Sequence, residues 1–200
     1  TDVCLQPAAL VAAAPRWCKP HTPGHRLGNT NALEQEKRQH GFFHFHIQMI
    51  QRSTGRSAVA AAAYRSGARI VNTWDGTVHD YTRKQHVVYN EVMLPANAPL
   101  HFADRSMLWN SVEWAEKKRD AQLAREIEMA LPKELPRAAQ IKLVRKFVQK
   151  EFVDAGMCAD VAIHDKEDGN PHAHILLTVR PLNSDGSWAQ KSRLVYDLDD

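Results

Sequence analysis

The stretch that decides the fold is His164-Asp165-Lys166-Glu167-Asp168-Gly169-Asn170-Pro171-His172-Ala173-His174, followed by the apolar run Ile175-Leu176-Leu177-Thr178-Val179. Because alternate side chains of a strand share a face, His172 and His174 point to one side while Ala173 and Ile175 face a core. Residues 158–164 are also strand-like, and the Asp-Gly and Asn-Pro pairs that follow are turn signals. The pattern predicts a β-hairpin that brings His164 beside His172 and completes a cluster of three histidines.

A three-histidine cluster is a candidate metal site. Three neutral imidazoles with an open coordination position hold catalytic divalent ions, which polarise a carbonyl or phosphoryl oxygen. The alternative is a set of exposed or hydrogen-bonded strand histidines without a metal, and a chain with 11 histidines allows some chance pairing. Turn, spacing and alternation together favour the metal site. His44 and His46 form another alternate pair, which we interpret as ordinary strand residues because no third candidate ligand is near them in the sequence.

Composition and charge set broad limits on the class of protein. Two hundred residues with 44% hydrophobic content are enough for one domain with a core of ordinary size. A net charge of +3 permits nucleic-acid binding without indicating it. The three cysteines lack the spacing of a disulfide framework or a cysteine metal site, so we expect a reducing, cytoplasmic setting. No run approaches the roughly 18 apolar residues that a membrane span needs.

The sequence divides near residue 41. Prolines and glycines punctuate residues 1–40, which show no sustained hydrophobic period, so we predict a flexible N-terminal arm there. Residues 41–200 carry regular patterns and are predicted to form the functional domain. Because the chain begins at Thr1 and ends without a clear stop signal, we expect it to be a fragment of a longer protein.

From Phe42 onward, short strands alternate with longer helices. Residues 43–50 read as a strand, and Ser57 is the predicted N-cap of an alanine-rich helix that ends at Gly67. Further strands are predicted at residues 68–71, 87–94 and 125–131, and further helices at 103–124 and from Pro136 to near Gly156. This order predicts an α+β fold with a mostly antiparallel central sheet, helices packed on one face and the histidines on the other.

Two carboxylates are candidates for the same face. In the strand Glu126-Ile127-Glu128, Glu126 and Glu128 share a side, where they would orient metal-bound imidazoles or balance their charge. The alternative is an exposed acidic edge, since carboxylates are mostly solvated. Asp160 shares a strand face with His164 by the same counting and is the weaker candidate.

The motifs occur in an order that resembles the MobA/MobL family of plasmid relaxases. The resemblance covers about residue 42 to the C-terminus and rests on these segments: residues 43–50, Gly55-Arg56-Ser57-Ala58-Val59-Ala60-Ala61-Ala62-Ala63-Tyr64-Arg65-Ser66-Gly67, Trp74-Asp75-Gly76, His79-Asp80-Tyr81, residues 125–132 and residues 164–174. It implies a relaxase-type palm of the histidine-hydrophobe-histidine endonuclease superfamily, which cuts one DNA strand at a transfer origin.

The resemblance also implies roles for individual residues. The nucleophile falls on Tyr64, the metal ligands on His164, His172 and His174, and the acidic part of the catalytic set on Glu126 and Glu128. The implied product is a 5′-phosphotyrosyl link that the same site later reverses to rejoin the strand. A tyrosine hydroxyl is a weak nucleophile at neutral pH, so it needs a base or an electrophilic partner to attack phosphorus. A metal on the scissile phosphate would supply the second.

Basic residues near the tyrosine are candidate DNA contacts. Arg56, Arg65 and Arg69 are predicted to meet phosphates, with solvated surface charge as the alternative.

Cofactor and partners follow from the resemblance. Magnesium prefers oxygen ligands, whereas imidazoles suit manganese, zinc, nickel or cobalt; the family implies magnesium or manganese. It further implies single-stranded DNA at a transfer origin as the substrate, a coupling protein and a type IV secretion channel as partners, and the bacterial cytoplasm as the location.

Two other functions are consistent with these motifs. A rolling-circle replication initiator would use the same metal chemistry, but such proteins usually carry the tyrosine after the histidine pair. Here Tyr64 precedes the pair, which favours a relaxase. A non-catalytic module that binds single-stranded DNA is the second alternative, and the presence of the tyrosine with all three histidines argues against it.

Overall fold

The computed structural model describes residues 44–167 and 169–191. The predicted flexible arm over residues 1–40 lies outside the described residues and stays a prediction. None of the helices within the described ranges is long and apolar enough to cross a bilayer.

A five-stranded antiparallel sheet organises the described part of the chain. Its strands are β1 (Phe45–Gln51), β4 (Val87–Met93), β5 (Gln122–Ala130), β6 (Ala159–His164) and β7 (His172–Thr178), in the spatial order β1-β5-β7-β6-β4. Each strand runs antiparallel to its neighbours. Two short strands, β2 (Arg69–Val71) and β3 (Val78–Asp80), pair separately. The predicted α+β class with an antiparallel sheet is confirmed.

The predicted hairpin is confirmed by the register of β6 and β7. His164 lies directly opposite His172, and Ala162 lies opposite His174. Since directly paired residues of antiparallel strands project to the same face, all three histidine side chains start from one face of the sheet. Glu128 is paired with His174 from the other side, in β5, and therefore joins that face.

The opposite face of the sheet carries an apolar core. Ile127, Ala173 and Ile175 are buried there under α3 (Arg137–Val148), whose inward residues include Val144 and Val148. A π-helical turn over Gln149–Val153 extends α3, so the predicted helix from Pro136 to near Gly156 agrees with the structure in outline. This helix lies on the face away from the histidines, as the sequence predicts.

The first two helices, α1 (Ala58–Ser66) and α2 (Arg105–Ala115), occupy the other end of the histidine face. They pack with Ile50, Ala124 and Leu176, whose pairing places them on the same side of the sheet as His174. The sequence pattern did not indicate this, because the helices' apolar residues do not say which face of the sheet they will cover. The consequence is that α1 ends beside the histidines.

Helix α1 has the caps that its sequence predicts. The Ser57 side chain accepts a hydrogen bond from the Ala60 amide, and Gly67 ends the helix in the left-handed region at φ 68°. Ala58, Ala62 and Ala63 are at most 1% exposed. Their small side chains therefore serve close packing of the helix on the core.

The predicted helix over residues 103–124 is wrong beyond residue 115. The backbone leaves the helix at Glu116, and residues from Gln122 onward pair with β1 instead. Arg52 donates to the carbonyl oxygens of Glu116 and Lys118, which gives those acceptors partners outside a helix. Two interactions between distant parts of the chain thus override the local helical pattern. They are the pairing of β5 with β1 and the hydrogen bonds from Arg52, which is more than 60 positions away.

Candidate metal centre and nucleophile

The histidines form two close ring pairs. The rings of His164 and His174 lie with centroids 4.5 Å apart, whereas the ring of His172 meets that of His44 edge-on at 6.4 Å. His44, which directly precedes β1, therefore joins the histidine face from the far side of β5. We name His164, His172 and His174 the histidine triad. The backbone brings the triad together as predicted, while the His172 ring is turned toward β1.

His164 is held by a hydrogen bond to the C-terminal end of α1. Its Nε2 lies 2.6 Å from the backbone carbonyl oxygen of Arg65, the residue after Tyr64, so Nε2–H donates and the Nδ1 lone pair is left for another partner. Burial lowers the pKa of His164 to about 4, despite the opposing effect of that hydrogen bond. The imidazole is therefore neutral at neutral pH, which is the form that binds a metal.

His174 carries a buried ring nitrogen without a hydrogen-bond partner. Its Nδ1 lies 3.8 Å from Glu126 Oε1 and 3.9 Å from Glu128 Oε2, beyond ordinary hydrogen-bond length. Metal-bound histidines commonly donate their second N–H to a carbonyl or carboxylate, and both His164 and His174 have such an acceptor nearby. The donor set therefore fits a divalent ion, although no three His, Cys, Asp or Glu side chains in the described ranges already converge on one point.

Glu126 is a buried carboxylate at the centre of the site. It is 1% exposed, accepts a hydrogen bond from Gln48 Nε2 at 2.8 Å, and forms an ion pair with Arg65. Burial raises the pKa of Glu126, but the adjacent His174 and the Arg65 guanidinium lower it by more than burial raises it. The pKa of Glu126 is therefore lowered from 4.5 to about 2. Glu126 is ionised at neutral pH and fixes Arg65 beside Tyr64.

The other two acidic candidates have different surroundings. Glu128 is partly exposed and faces His174, as its predicted side of the strand requires. Asp160 is buried, but Arg105 and the Trp109 indole of α2 both donate to it. Asp160 therefore anchors α2 to the sheet and is not free to orient the histidine triad.

Tyr64 lies in the last turn of α1 with 45% of its surface exposed. The Lys84 ammonium sits 3.5 Å from its ring centroid and donates to its backbone carbonyl oxygen at 2.8 Å. The ring of Tyr81 meets it edge-on at 5.2 Å. Burial, reinforced by the positive charge of Arg65, lowers the pKa of Lys84 to about 8. The tyrosine ring is thus positioned by a cation on one face and remains open to solvent.

The three predicted phosphate contacts differ in availability. The Arg65 guanidinium is paired with Glu126 and lies 5.0 Å from the Tyr64 ring. Arg56 is exposed and donates to Gln48 Oε1, and Arg69 is exposed with Asp80 at 3.7 Å. Arg69 lies in β2, outside the main sheet. The structure brings Arg65 to the site and leaves the DNA-contact role of all three as a prediction.

Comparison with known proteins identifies the family. The model of the MobA/MobL family matches residues 56–199, which include the helix of Tyr64, both glutamates and the histidine triad. The chain belongs to the MobA/MobL family. The prediction drawn from the order of the motifs is therefore confirmed.

Relatives of this MobA/MobL chain are named for DNA transfer. The conjugal transfer protein TraA of Agrobacterium fabrum is 43% identical over 162 residues, which cover 76% of this chain and 15% of that protein. The mobilization protein MobL of Acidithiobacillus ferridurans is 39% identical over 75% of this chain and 46% of its own length. The chain thus spans less than half of these curated relatives.

A solved structure shares the fold of this MobA/MobL chain. The structure described as "Molecular Basis of Vancomycin Resistance Transfer in Staphylococcus aureus" has a TM-score of 0.72 and 36% sequence identity, covering 76% of this chain and 77% of that one.

Two site residues of this MobA/MobL chain escaped the reasoning from sequence. Lys84 lies 20 positions from Tyr64 in a polar loop, and no local pattern distinguishes it from a solvated lysine. His44 has no third candidate ligand near it in the sequence, but the pairing of β1 with β5 brings it to His172. To predict this contact from the sequence, one would have to know which strand pairs with β1.

Proposed function

We propose that this chain is the nicking domain of a relaxase, which cuts one strand of a plasmid or mobile-element transfer origin and later rejoins it. The observation that carries this proposal is the contact between His164 Nε2 and the Arg65 carbonyl oxygen. It joins the histidine triad to the residue next to the exposed Tyr64. The contact ties the helix that carries the proposed nucleophile to the strands that carry the proposed metal ligands, and phosphoryl transfer requires such fixed positioning.

The names of the relatives support the same process. TraA is a conjugal transfer protein, MobL is a mobilization protein, and an 80-residue match at 36% identity is to a 43 kDa relaxation protein of Salmonella typhimurium. We extend that role to this chain because the matched segments with TraA and MobL each cover three quarters of it. Delivery of the cut strand through a coupling protein and a type IV secretion channel, from the bacterial cytoplasm, belongs to the same proposal.

The reaction we propose is a transesterification at Tyr64. The phenolic oxygen attacks the scissile phosphorus and loses its proton, while the bond from phosphorus to the 3′ oxygen breaks and that oxygen gains a proton. The products are a 5′-phosphotyrosyl link and a free 3′-hydroxyl. Because one phosphodiester replaces another, the free-energy change of the step is small. The reaction is therefore reversible, and the same residues catalyse the rejoining.

The chain's own groups prepare that attack. Lys84 holds the Tyr64 ring by its cation–π contact and places a positive charge beside the hydroxyl-bearing residue. Glu126 fixes Arg65, which stops the last turn of α1 from shifting. Glu128 is placed to orient His174. The histidine triad would hold a divalent ion, which supplies Lewis-acid polarisation of the phosphate when bound. We propose magnesium or manganese in the cell, although imidazole ligands also suit zinc, nickel or cobalt.

Covalent capture of DNA tests the proposal. Labelled single-stranded oligonucleotides tiling the DNA beside the gene are incubated with the purified chain and manganese, magnesium or a chelator, and resolved on a denaturing gel. A metal-dependent, protease-sensitive adduct on one strand supports a relaxase. Binding without any adduct on every tile and with every metal contradicts it and favours the single-strand-binding module.

The metal site has its own test. Replacing His174 by alanine removes one of the three proposed imidazole ligands and is expected to weaken Mn²⁺ binding by at least about 100-fold, measured by isothermal titration calorimetry. The control is His101→Ala in an exposed turn, which should leave the affinity unchanged. Equal affinities in both variants would remove the histidine triad from the proposal.

Lys84 is expected to control the rate of adduct formation. Replacing it by methionine should slow the reaction about tenfold or more, because the cation that holds the ring and offsets phosphate charge is lost. The pH profile adds a readout that simple packing would not move. With a pKa of about 8, lysine loses its charge above that pH, whereas arginine stays charged.

The comparison with arginine fixes the sign of that profile. The ratio of the Lys84→Arg rate to the parent rate should rise as pH increases through about 8, measured over roughly pH 6.5 to 10. A flat ratio, together with an unaffected methionine variant, would show that Lys84 has no part in the reaction.

A further inference from the structure

A pair of tryptophans lies on the surface at the N-terminal end of α1, away from Tyr64. Trp74 follows β2 and Trp114 lies in the last turn of α2, and their ring centroids are 5.0 Å apart at an angle of 68°. Trp114 is 51% exposed although it is among the largest apolar side chains. The segment Trp74-Asp75-Gly76 carried part of the family resemblance, yet the reaction proposed above makes no use of it.

Hydrogen bonds and stacking fix both rings. The Trp114 indole N–H donates to Thr73 Oγ1 at 2.9 Å, and the Arg52 guanidinium lies 4.4 Å from the Trp74 ring. Arg52 is itself held by Glu113, with 2.8 Å between Nη2 and the carboxylate. The half-exposed Trp114 ring is therefore held by a rigid support, which lowers the entropy cost of binding a flat ligand.

A basic loop adjoins the tryptophan pair. Lys117, Lys118 and Arg119 follow α2 and are all exposed, and none of them forms an ion pair with a residue in the described ranges. Arg52 donates to the Lys118 carbonyl oxygen and so ties this loop to the Trp74 ring. Asp120 is the one acidic residue in the exposed run, so the loop is net positive.

We propose that this surface, the tryptophan platform formed by Trp74, Trp114, Lys117, Lys118 and Arg119, binds single-stranded DNA. A nucleobase stacks on Trp114, and the basic loop contacts the adjoining phosphates. An exposed aromatic face beside positive charge is the arrangement that binds single strands without reading their sequence. The inference deepens the proposed function and rests on it, since it assigns the platform to DNA that flanks the cut.

The position of the platform explains why it is a flanking site. Ser57, which precedes α1, donates to Glu113 next to Trp114, whereas Tyr64 lies in the last turn of the same helix. The rise from residue 58 to residue 64 is about 9 Å at 1.5 Å per residue. The platform and Tyr64 are thus at opposite ends of α1, and the nucleotide on Trp114 is not the one that Tyr64 attacks.

Binding to a probe without sequence tests the platform independently of cleavage. Fluorescence anisotropy is measured with fluorescein-labelled oligo(dT) of about 20 nucleotides and with an abasic strand of the same length. Trp114→Ala is expected to weaken oligo(dT) binding about tenfold and to leave the abasic strand unaffected, because only stacking is lost. Trp114→Phe should recover most of the affinity, and Met107→Ala, which removes another exposed apolar side chain of α2, should have no effect.

The basic loop is tested by salt dependence, which also covers the case of a misfolded Trp114→Ala protein. Lys117→Gln and Lys118→Gln together should reduce the slope of log affinity against log salt by about 1 to 2. Unchanged oligo(dT) affinity in Trp114→Phe, Trp114→Ala and the lysine variant, or equal losses on both strands in Trp114→Ala, would overturn the platform. Failure of the relaxase proposal is separate: it shows as an absent adduct in the parent, whatever the anisotropy gives.

Discussion

Replacing Tyr64 by phenylalanine is expected to abolish the covalent protein–DNA adduct while leaving the affinity for single-stranded DNA within about twofold of the parent. The variant removes one oxygen, the atom that would form the bond to phosphorus, and keeps the ring. The cation–π contact with Lys84 needs only the ring face, so Lys84 should stay in place. The ring is 45% exposed, so the change leaves no buried cavity. The measurement is adduct yield on a denaturing gel beside affinity by anisotropy.

Tyr81 offers a matched control for that experiment. Its ring lies 5.2 Å from that of Tyr64, and it is the other phenol packed at this end of α1. Tyr81→Phe should form the adduct at nearly the parent rate. An adduct that persists in Tyr64→Phe and disappears in Tyr81→Phe would transfer the nucleophile to Tyr81, and loss in both variants would point to a disturbed helix end.

Arg65→Ala is expected to lower the free energy of unfolding by about 3–5 kcal/mol at neutral pH, the usual cost of removing one partner of a buried ion pair. Glu126 is 1% exposed, and without Arg65 it keeps only the hydrogen bond from Gln48 and the neighbouring His174 ring to offset its lost hydration. Removing the Arg65 charge and hydrogen bond takes away two of the causes that lower the pKa of Glu126, so this pKa should rise in the variant. Chemical denaturation of the metal-free protein measures the difference.

The pH dependence of that loss has a definite sign. In the parent the pKa of Glu126 is lowered from 4.5 to about 2, so its stabilising contribution is complete above pH 4.5 and is lost as pH falls toward 2. The gap between parent and Arg65→Ala should therefore narrow on acidification. The control is Arg56→Ala, whose exposed side chain donates to Gln48 and not to a carboxylate, with an expected cost below about 1 kcal/mol. Equal costs for the two arginines would contradict a buried ion pair at Glu126.

Several features follow from the sequence because the forces behind them are local. The hairpin that pairs His164 with His172 depends on a turn signal between two alternating runs, and the structure has this register. The caps of α1 at Ser57 and Gly67 depend on one hydroxyl and on one residue tolerant of positive φ. The shared side of Glu126 and Glu128 depends only on strand alternation. The family resemblance rests on the same local patterns in a fixed order.

Other features depend on contacts between residues far apart in the chain. The sequence alone placed the histidines and both glutamates on their faces. The family resemblance pointed to Tyr64 as the nucleophile, which stays a prediction. The tertiary structure decided that α1 and α2 cover part of the histidine face, that α2 ends at Ala115, and that Lys84 and His44 reach the site. Strand order and helix docking are set by the burial of apolar surface across the whole sheet. The hydrophobic effect that drives this burial is non-directional, so a local stretch of sequence does not reveal its partner. Local patterns specify which side a residue faces, and only packing specifies what lies opposite it.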